Sequence, residues 1–262
     1  PSQPLQIIPQ SRLYSVPALP VPQDLIRAET IVSSLSRPTA IDFTPDGRRM
    51  FIAQQDGLVR VRVNGVLNST PFIDIRAQVN GTRDRGLLDI AVHPNFEANP
   101  YVYLLFTYDP PEVYQNASHP LAGPDRNGNR AARLIRVTAD VATNYTTAVP
   151  GSEFILLGRN STWQHFNAFV NSTVDFNEPA GGYLPNGTPV RDFIATDSES
   201  HTIGSVEFAK DGSLFVSTGD GASYNRVDPR AVRVQNIDDL AGKILRIDPI
   251  TGQGLPDNPF FN

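Results

Sequence analysis

Apolar and polar residues alternate along much of the chain in pairs of short segments that flank a turn. Three pairs stand out: 40–43 and 49–53 around Asp46-Gly47, 88–92 and 101–106 around His93-Pro94-Asn95, and 205–209 and 214–217 around Asp211-Gly212. Alternation places successive side chains on opposite faces of a strand, and Gly or Asn supplies the backbone angles of a tight turn. The pattern therefore predicts three β-hairpins.

The hairpins recur at intervals typical of the blades of a β-propeller. Asp46 and Asn95 are 49 residues apart, close to one blade, whereas Asn95 and Asp211 are 116 apart, which suits two blades with a long insertion. The loop-rich candidates for the insertion are 109–129 and 160–192, and further strands are expected at 58–63, 132–137 and 243–248. We predict an all-β fold of the propeller class. A β-sandwich with similar hairpins is the alternative.

The chain holds too few hairpins for a closed ring. We expect one incomplete propeller domain over 1–262, with 1–36 as an N-terminal extension and first-strand region. Among 23 prolines and 19 glycines, only 22–36 is suited to a helical turn or two. Three to three and a half blades leave exposed edge strands, so the remaining half of the propeller is the expected partner.

Composition narrows the partners and the compartment. A net charge of −5 without a basic run gives no reason to expect nucleic-acid binding, and no apolar stretch approaches the roughly 18 residues of a membrane span. The first residues do not form a signal peptide, so we expect a soluble chain whose leader is gone. Cysteine is absent, which fits either side of a membrane.

Asn-x-Ser/Thr sequons are more frequent than the roughly two expected by chance at this composition. They begin at Asn68, Asn80, Asn116, Asn144, Asn160, Asn171 and Asn186. A glycosylated protein, secreted to the extracellular space or the periplasm, is one interpretation. The other is that turn-rich β proteins use Asn, Ser and Thr together in any compartment.

His201 and Asp220 are the candidate catalytic pair. His201 directly precedes one strand of the third hairpin and Asp220 follows the other, so antiparallel pairing returns both to the same rim. An imidazole there can act as a general base when a carboxylate fixes its tautomer. The residues alone favour a surface histidine and a turn aspartate over a catalytic pair. His93 is expected to pack or bond within its turn, and His119 and His165 lie in loops.

Several blocks, in order, resemble the soluble quinoprotein glucose/sorbosone dehydrogenases, which are six-bladed β-propellers. They are GLLDIAVHPNF at 86–96, HTIG at 201–204, FAKDGSLFVSTGDG at 208–221, LAGKILRIDP at 240–249 and NPF at 258–260. In that family, pyrroloquinoline quinone (PQQ) accepts a hydride from a sugar, a histidine removes the hydroxyl proton, and calcium polarises the quinone. The resemblance implies that His201 is the base and Asp220 its orienting carboxylate.

The chain departs from the family pattern at two positions, and the family's cofactor-binding residues lie beyond the matching blocks. Asp84 stands where the family has a substrate-binding residue, usually Glu or Gln, and Asp89 replaces a glycine. Cations for the quinone and oxygen ligands for calcium are needed as well. The family supplies them after the Asn258-Pro259-Phe260 loop, so we expect no activity from this chain by itself.

Other functions stay open at this point. A propeller that has lost its cofactor would be an extracellular binding or structural module. A calcium-dependent lactone or ester hydrolase would need several carboxylates around the channel. A local calcium loop at Asp125-x-Asn127-Gly128-Asn129 lacks the spacing and the distal Glu of an EF-hand, so a solvated turn is the favoured interpretation.

Overall fold

The computed structural model describes residues 27–110, 124–167, 170–175, 177 and 179–261. The chain divides into two units, Pro1–Ser33 and Ser34–Asn262, and all strands of the described residues lie in the second. Within 22–36, the segment suited to a helical turn or two, residues 27–36 form no helix. Residues 22–26, the sequon at Asn116 and His119 lie outside the described residues.

The strands form three antiparallel sheets. Sheet 1 runs β1-β2-β3-β4, with β5 also pairing with β3. Its strands are β1 (Pro38–Phe43), β2 (Arg49–Gln54), β3 (Leu58–Val63), β4 (Val66–Leu67) and β5 (Ile73–Asp74). Sheet 2 runs β6-β7-β8-β10, with β9 also pairing with β8. Its strands are β6 (Leu87–Val92), β7 (Tyr101–Tyr108), β8 (Arg130–Thr138), β9 (Phe154–Leu157) and β10 (Ile194–Thr196).

Sheet 3 carries the third predicted hairpin. Its strands are β11 (Ile203–Phe208), β12 (Leu214–Thr218) and β13 (Ile244–Ile247), in that order. Short 3₁₀ helices lie in the connections at Val141–Thr143, Trp163–His165 and Pro229–Gln235.

Turn chemistry explains the first and third hairpins. Gly47 and Gly212 adopt φ of 68° and 85°, and each donates its N–H to the carbonyl three residues earlier. A side chain would strain this left-handed backbone, so glycine follows aspartate in both turns. The second hairpin has instead an eight-residue connection, 93–100, between β6 and β7.

Sheet 2 lies between the other two sheets, and this position explains why the sequence of β7 is apolar throughout. Val102, Leu104 and Phe106 pack in the core shared with sheet 1. Tyr103 and Leu105 point to the opposite face and pack in the core shared with sheet 3. A strand covered on both faces cannot show polar alternation. Three sheets packed face to face in series also exclude the two-layer sandwich and agree with the propeller class.

The first strands of the three sheets are neighbours, and aspartates join them. Asp42 on β1 accepts the N–H of Val92 on β6 at 2.7 Å, and Asp89 on β6 accepts the N–H of Val206 on β11 at 2.7 Å. Asp89 also accepts the N–H of Ile90. Its carboxylate therefore links adjacent sheets, which explains an acidic residue where the family pattern has glycine.

One expectation about spacing is wrong. The 116 residues from Asn95 to Asp211 span one step between neighbouring sheets, not two blades. The chain leaves sheet 2 after β9, passes through a long insertion, and returns as β10 to the same strand, β8. Both loop-rich segments are thus insertions within a single sheet, and hydrophobic spacing alone could not distinguish them from another blade.

Candidate functional site

The sequence-predicted pair meets at one end of the β11–β12 hairpin. The Nδ1 atom of His201 lies 3.3 Å from Oδ1 of Asp220, at ion-pair distance. The side chains are 49% and 32% exposed, so both are accessible from solvent. The pairing of Ile203 with Thr218 places the residue before β11 opposite the loop after β12, as antiparallel geometry requires.

The backbone around the pair is tightly constrained. His201 has φ of 53°, an unusual left-handed conformation for a residue with a side chain. Gly221 donates its N–H to the His201 carbonyl at 2.9 Å, and Gly219 donates to the Thr202 carbonyl at 3.0 Å. A Cβ on Gly219 would lie 1.9 Å from the His201 carbonyl oxygen. The absence of a side chain at Gly219 therefore lets the two ends of the hairpin approach.

The loop that contains Asp84 runs beside residues 199–202, the segment that carries His201. The Asp84 N–H donates to the carbonyl of Glu199 at 3.3 Å, and its carbonyl accepts from the Thr202 hydroxyl at 3.4 Å. Asp84 itself is exposed. The structure thus brings all three predicted site residues to one rim, whereas their roles in catalysis and substrate binding remain predictions.

Sequence reasoning missed two buried charged residues next to the site. Arg85 is fully buried, and burial, followed by the nearby Arg130 cation, lowers its pKa to about 9. Glu199 is also buried; its Oε1 lies 3.7 Å from Nε of Arg83, and its Oε2 has no hydrogen-bond partner within the part of the chain that the structure describes. Both lie in polar runs of sequence that look like exposed loops, so no local pattern marks them as buried.

A network of buried ion pairs supports this end of the sheets. Arg130 pairs with Asp109 at 2.7 Å, and both side chains are almost completely buried. Arg233 pairs with the buried Asp197, which directly follows β10. Such pairs are costly to separate, because each would leave an uncompensated buried charge. The Arg233–Asp197 pair therefore fixes the segment that leads from β10 towards His201, and the Arg130–Asp109 pair holds the start of β8 against the end of β7.

The other described histidines have structural surroundings. His93 accepts the N–H of Asn95 through Nδ1, and burial lowers its pKa, which confirms the turn role expected for it. The Nδ1 atom of His165 lies 2.9 Å from the carbonyl oxygen of Asn160, so this histidine has a partner that the sequence did not suggest.

The candidate calcium loop has another role. The Asp125 carboxylate accepts the N–H of Gly81 at 2.6 Å, and its backbone N–H donates to Asp109. Across the described ranges, no group of three or more histidines and acidic residues is arranged to hold a metal ion. The same ranges contain no helix that is long and apolar enough to cross a membrane.

Comparison with protein families gives a clear result. The family model described as glucose/sorbosone dehydrogenase matches residues 35–155 and 190–262, which is most of the chain. The chain belongs to this family. The unmatched segment, 156–189, covers most of the insertion between β9 and β10.

Two of the curated proteins that this chain resembles are much longer than the chain. The HIPL2 protein of Arabidopsis thaliana is 27% identical over 217 residues, which covers 78% of this chain and 28% of that protein. The human Hedgehog-interacting protein is 32% identical over 85 residues, or 30% of this chain and 12% of that protein. The chain therefore spans well under half the length of these relatives.

Solved structures of sugar dehydrogenases share the fold. A glucose dehydrogenase-type oxidoreductase of Thermus thermophilus is 26% identical, with a TM-score of 0.54 over 89% of this chain and 50% of that one. The PQQ-bound aldose sugar dehydrogenase of Streptomyces coelicolor is 19% identical, with a TM-score of 0.51 over 88% of this chain and 50% of that one. The chain thus corresponds to about half the length of these solved chains.

Proposed function

We propose that this chain forms the proton-accepting half of a PQQ-dependent sugar or alditol dehydrogenase. The observation that carries the proposal is the 3.3 Å approach of His201 Nδ1 to Asp220 at an exposed rim. The rim also receives Asp84, as the family pattern predicts for a substrate-binding residue. Histidine paired with a carboxylate is suited to accept a proton near neutral pH.

The roles of these side chains follow from their chemistry. With its proton on Nδ1, the atom that lies beside Asp220, His201 would present Nε2 as the base. Nε2 would take the proton from a sugar hydroxyl as the carbon that bears this hydroxyl is oxidised. PQQ held by the complete protein would supply the two-electron acceptor for the hydride that this carbon loses. Asp84 would accept a hydrogen bond from a second hydroxyl of the sugar.

The described residues do not fit the remaining needs of PQQ and calcium. The quinone carries carboxylates that require exposed cations. The arginines near the rim are already engaged: Arg85 bonds carbonyl oxygens, Arg130 and Arg233 bond aspartates, and the exposed Arg83 lies 3.7 Å from Glu199. We therefore assign the cofactor's cationic contacts and the calcium ligands to the missing half, and expect no activity from this chain alone.

The surfaces at the two ends of the sheet series support such a missing half. Ile41 and Phe43 on β1 are exposed at one end. At the other end, Phe215 and Ile244 are exposed on sheet 3, and Ile244 is 77% exposed. Apolar side chains on a sheet face normally pack against another layer. We propose that further blades cover both faces, completing a six-bladed ring as a longer chain or an assembled complex.

A non-catalytic role is the second candidate, because relatives include the Hedgehog-interacting protein. In this case the propeller would be an extracellular binding or structural module that keeps the fold without the cofactor. The two candidates differ in the missing half. An Arg-Asn-Pro block and a cationic rim there would favour the enzyme, and apolar or acidic residues at those positions would favour the binding module.

Secretion is part of the proposal, and burial divides the six sequons of the described residues into two groups. The exposed sequons, which are at least partly accessible, begin at Asn68, Asn144, Asn160 and Asn186. The buried sequons begin at Asn80 and Asn171, both 0% exposed. Because these two side chains are completely buried, a glycan on either is incompatible with the fold. We propose glycosylation at the exposed sequons only.

Reconstitution tests the enzymatic proposal. The complete protein is loaded with PQQ and Ca²⁺, and the cofactor absorbance is followed while aldoses and alditols are added. Saturable binding of PQQ and a spectral change with a sugar are the expected results. A folded complete protein that binds no PQQ and gives no spectral change with any sugar would exclude the enzyme and leave the binding module.

A further inference from the structure

Among the described residues, the guanidinium of Arg85 bonds only to carbonyl oxygens. Nη1 donates to Gly128 at 2.7 Å, Nη2 donates to Ser198 at 2.9 Å and to Thr196 at 3.2 Å, and Nε also donates to Ser198 at 3.3 Å. The side chain is 0% exposed. Its planar fork of donors thus joins two separate segments, the loop before β8 and the segment after β10.

The second of these segments leads directly to the candidate base. Ser198 lies three residues before His201, and its N–H donates to the carbonyl of Gly221 at 2.8 Å. The loop around Arg85 adds two further contacts, from the Asp84 N–H to the Glu199 carbonyl and from the Thr202 hydroxyl to the Asp84 carbonyl. Contacts of the Arg85 loop therefore fix residues on both sides of His201.

The loop itself is rigid. Gln55 donates its side-chain amide to the carbonyls of Arg83 and Arg85, at 2.7 Å each. Its own carbonyl accepts from Leu87 at 2.9 Å, so the loop is tied to sheet 1 on both sides of Gly86. A Cβ on Gly86 would lie 2.5 Å from that carbonyl, so only glycine allows this approach. These contacts thus hold the backbone that carries Arg85 in place.

Burial of the Arg85 cation costs free energy, because the guanidinium loses its hydration. Burial disfavours the charged form of Arg85, which the lowered pKa reflects. Arginine differs from lysine in presenting several N–H groups in one plane, so it can bridge carbonyls that a single ammonium cannot reach together. The arrangement therefore uses the geometry of the guanidinium as well as its charge.

We propose that Arg85 is a positioning residue that holds the His201 segment so that Nδ1 faces Asp220. The inference rests on the proposed function only in naming His201 as the base. If Arg85 has this role, the position of the proton on the neutral His201 ring, Nδ1 or Nε2, depends on Arg85. Asp220 favours the proton on Nδ1, and displacement of the segment would weaken this preference.

The tautomer can be measured without activity. In the ¹⁵N-labelled folded chain, long-range ¹H–¹⁵N spectra at a pH where imidazole is neutral give the populations with the proton on Nδ1 and on Nε2. His201→Gln assigns the resonances, and Asp220→Asn defines the spectrum without the carboxylate. Arg85→Lys keeps the charge but loses the fork. Arg133→Lys is the matched control, because Arg133 is also buried and donates to two carbonyls, those of Gly158 and Ser161.

We expect the parent to favour Nδ1–H and Arg85→Lys to shift the populations towards those of Asp220→Asn, with Arg133→Lys at the parent value. If Arg85→Lys does not fold, Thr202→Val replaces it. This variant removes one contact of the same loop and should give a smaller shift in the same direction. Parent-like populations in the folded Arg85→Lys, or in Thr202→Val where that replaces it, would overturn the proposal.

A kinetic measurement separates this inference from the proposed function. In the complete protein loaded with PQQ and Ca²⁺, Arg85→Lys should lower the rate of cofactor reduction while the KM for the sugar changes little. If no protein reduces the cofactor but the tautomer shift is present, the enzymatic proposal fails and the positioning role stands. If the sugar is oxidised and the tautomer does not shift, the positioning role fails alone.

Discussion

Replacement of Gly219 by alanine tests the close approach that builds the site. The Cβ would lie 1.9 Å from the carbonyl oxygen of His201 and 2.5 Å from its carbonyl carbon. Both atoms belong to the backbone, so they cannot rotate away as a side chain could. Relief of the overlap must separate the ends of the hairpin. Overpacking costs about 1–3 kcal/mol. The two flanking hydrogen bonds, from Gly219 and Gly221, contribute about 0.5–1.5 kcal/mol each.

We therefore expect Gly219→Ala to lower the free energy of unfolding by about 2–6 kcal/mol, a large part of the 5–15 kcal/mol typical of a domain. The matched control is Gly254→Ala, where a Cβ would meet its nearest atoms at 3.6 Å. Neither glycine has a left-handed φ, so steric space is the difference between them. Urea unfolding followed by far-UV circular dichroism gives both free energies. Equal stability of the two variants would refute the reasoning.

Three further predictions concern the links between sheets, the hairpin turn and the surface. Asp89→Asn should lower the free energy of unfolding in urea by about 1–3 kcal/mol, because one amide oxygen cannot serve both N–H donors that the carboxylate accepts. The control, Glu207→Gln at an exposed position, should leave this free energy unchanged. Equal effects of the two substitutions would contradict the linking role of Asp89. Hydrogen bonds from Ser213 and Arg246 lower the Asp211 pKa to about 2, so its contribution to stability is present above the ordinary value of 3.8 and is lost as the pH falls towards 2. The urea midpoint of Asp211→Asn should therefore lie below the parent at pH 5 and converge with it towards pH 2, and a constant difference would count against this assignment. Peptide mapping after enzymatic deglycosylation of protein secreted from eukaryotic cells should find glycans at the exposed sequons and none at the buried ones; occupancy at Asn80 in folded protein would contradict its burial.

The sequence predicted that His201 and Asp220 would meet, because local geometry decides their approach. The tight turn at Asp211-Gly212 and the alternation around it fix an antiparallel register, and this register brings His201 and Asp220 to one rim. The same reasoning identified the first hairpin around Asp46-Gly47. Short-range patterns suffice in these cases because each interaction lies between residues close in the chain.

Long-range contacts were beyond the reach of such patterns. Arg85 bonds Ser198, which is 113 residues away, and nothing near Arg85 in the sequence shows that its charge is buried. The distance from Asn95 to Asp211 suggested an extra blade because an insertion and a blade can have equal length. Only the pairing of both β9 and β10 with β8 assigns that length to an insertion.

Proton removal by His201 is the central step of the proposed reaction. In the complete protein loaded with PQQ and Ca²⁺, stopped-flow absorbance gives the rate of cofactor reduction by an aldose. We predict that His201→Gln lowers this rate by about 10²–10⁴-fold, the usual contribution of a general base, while His93→Gln leaves it near the parent value. Equal rates for the two variants, with PQQ bound in both, would contradict the central claim.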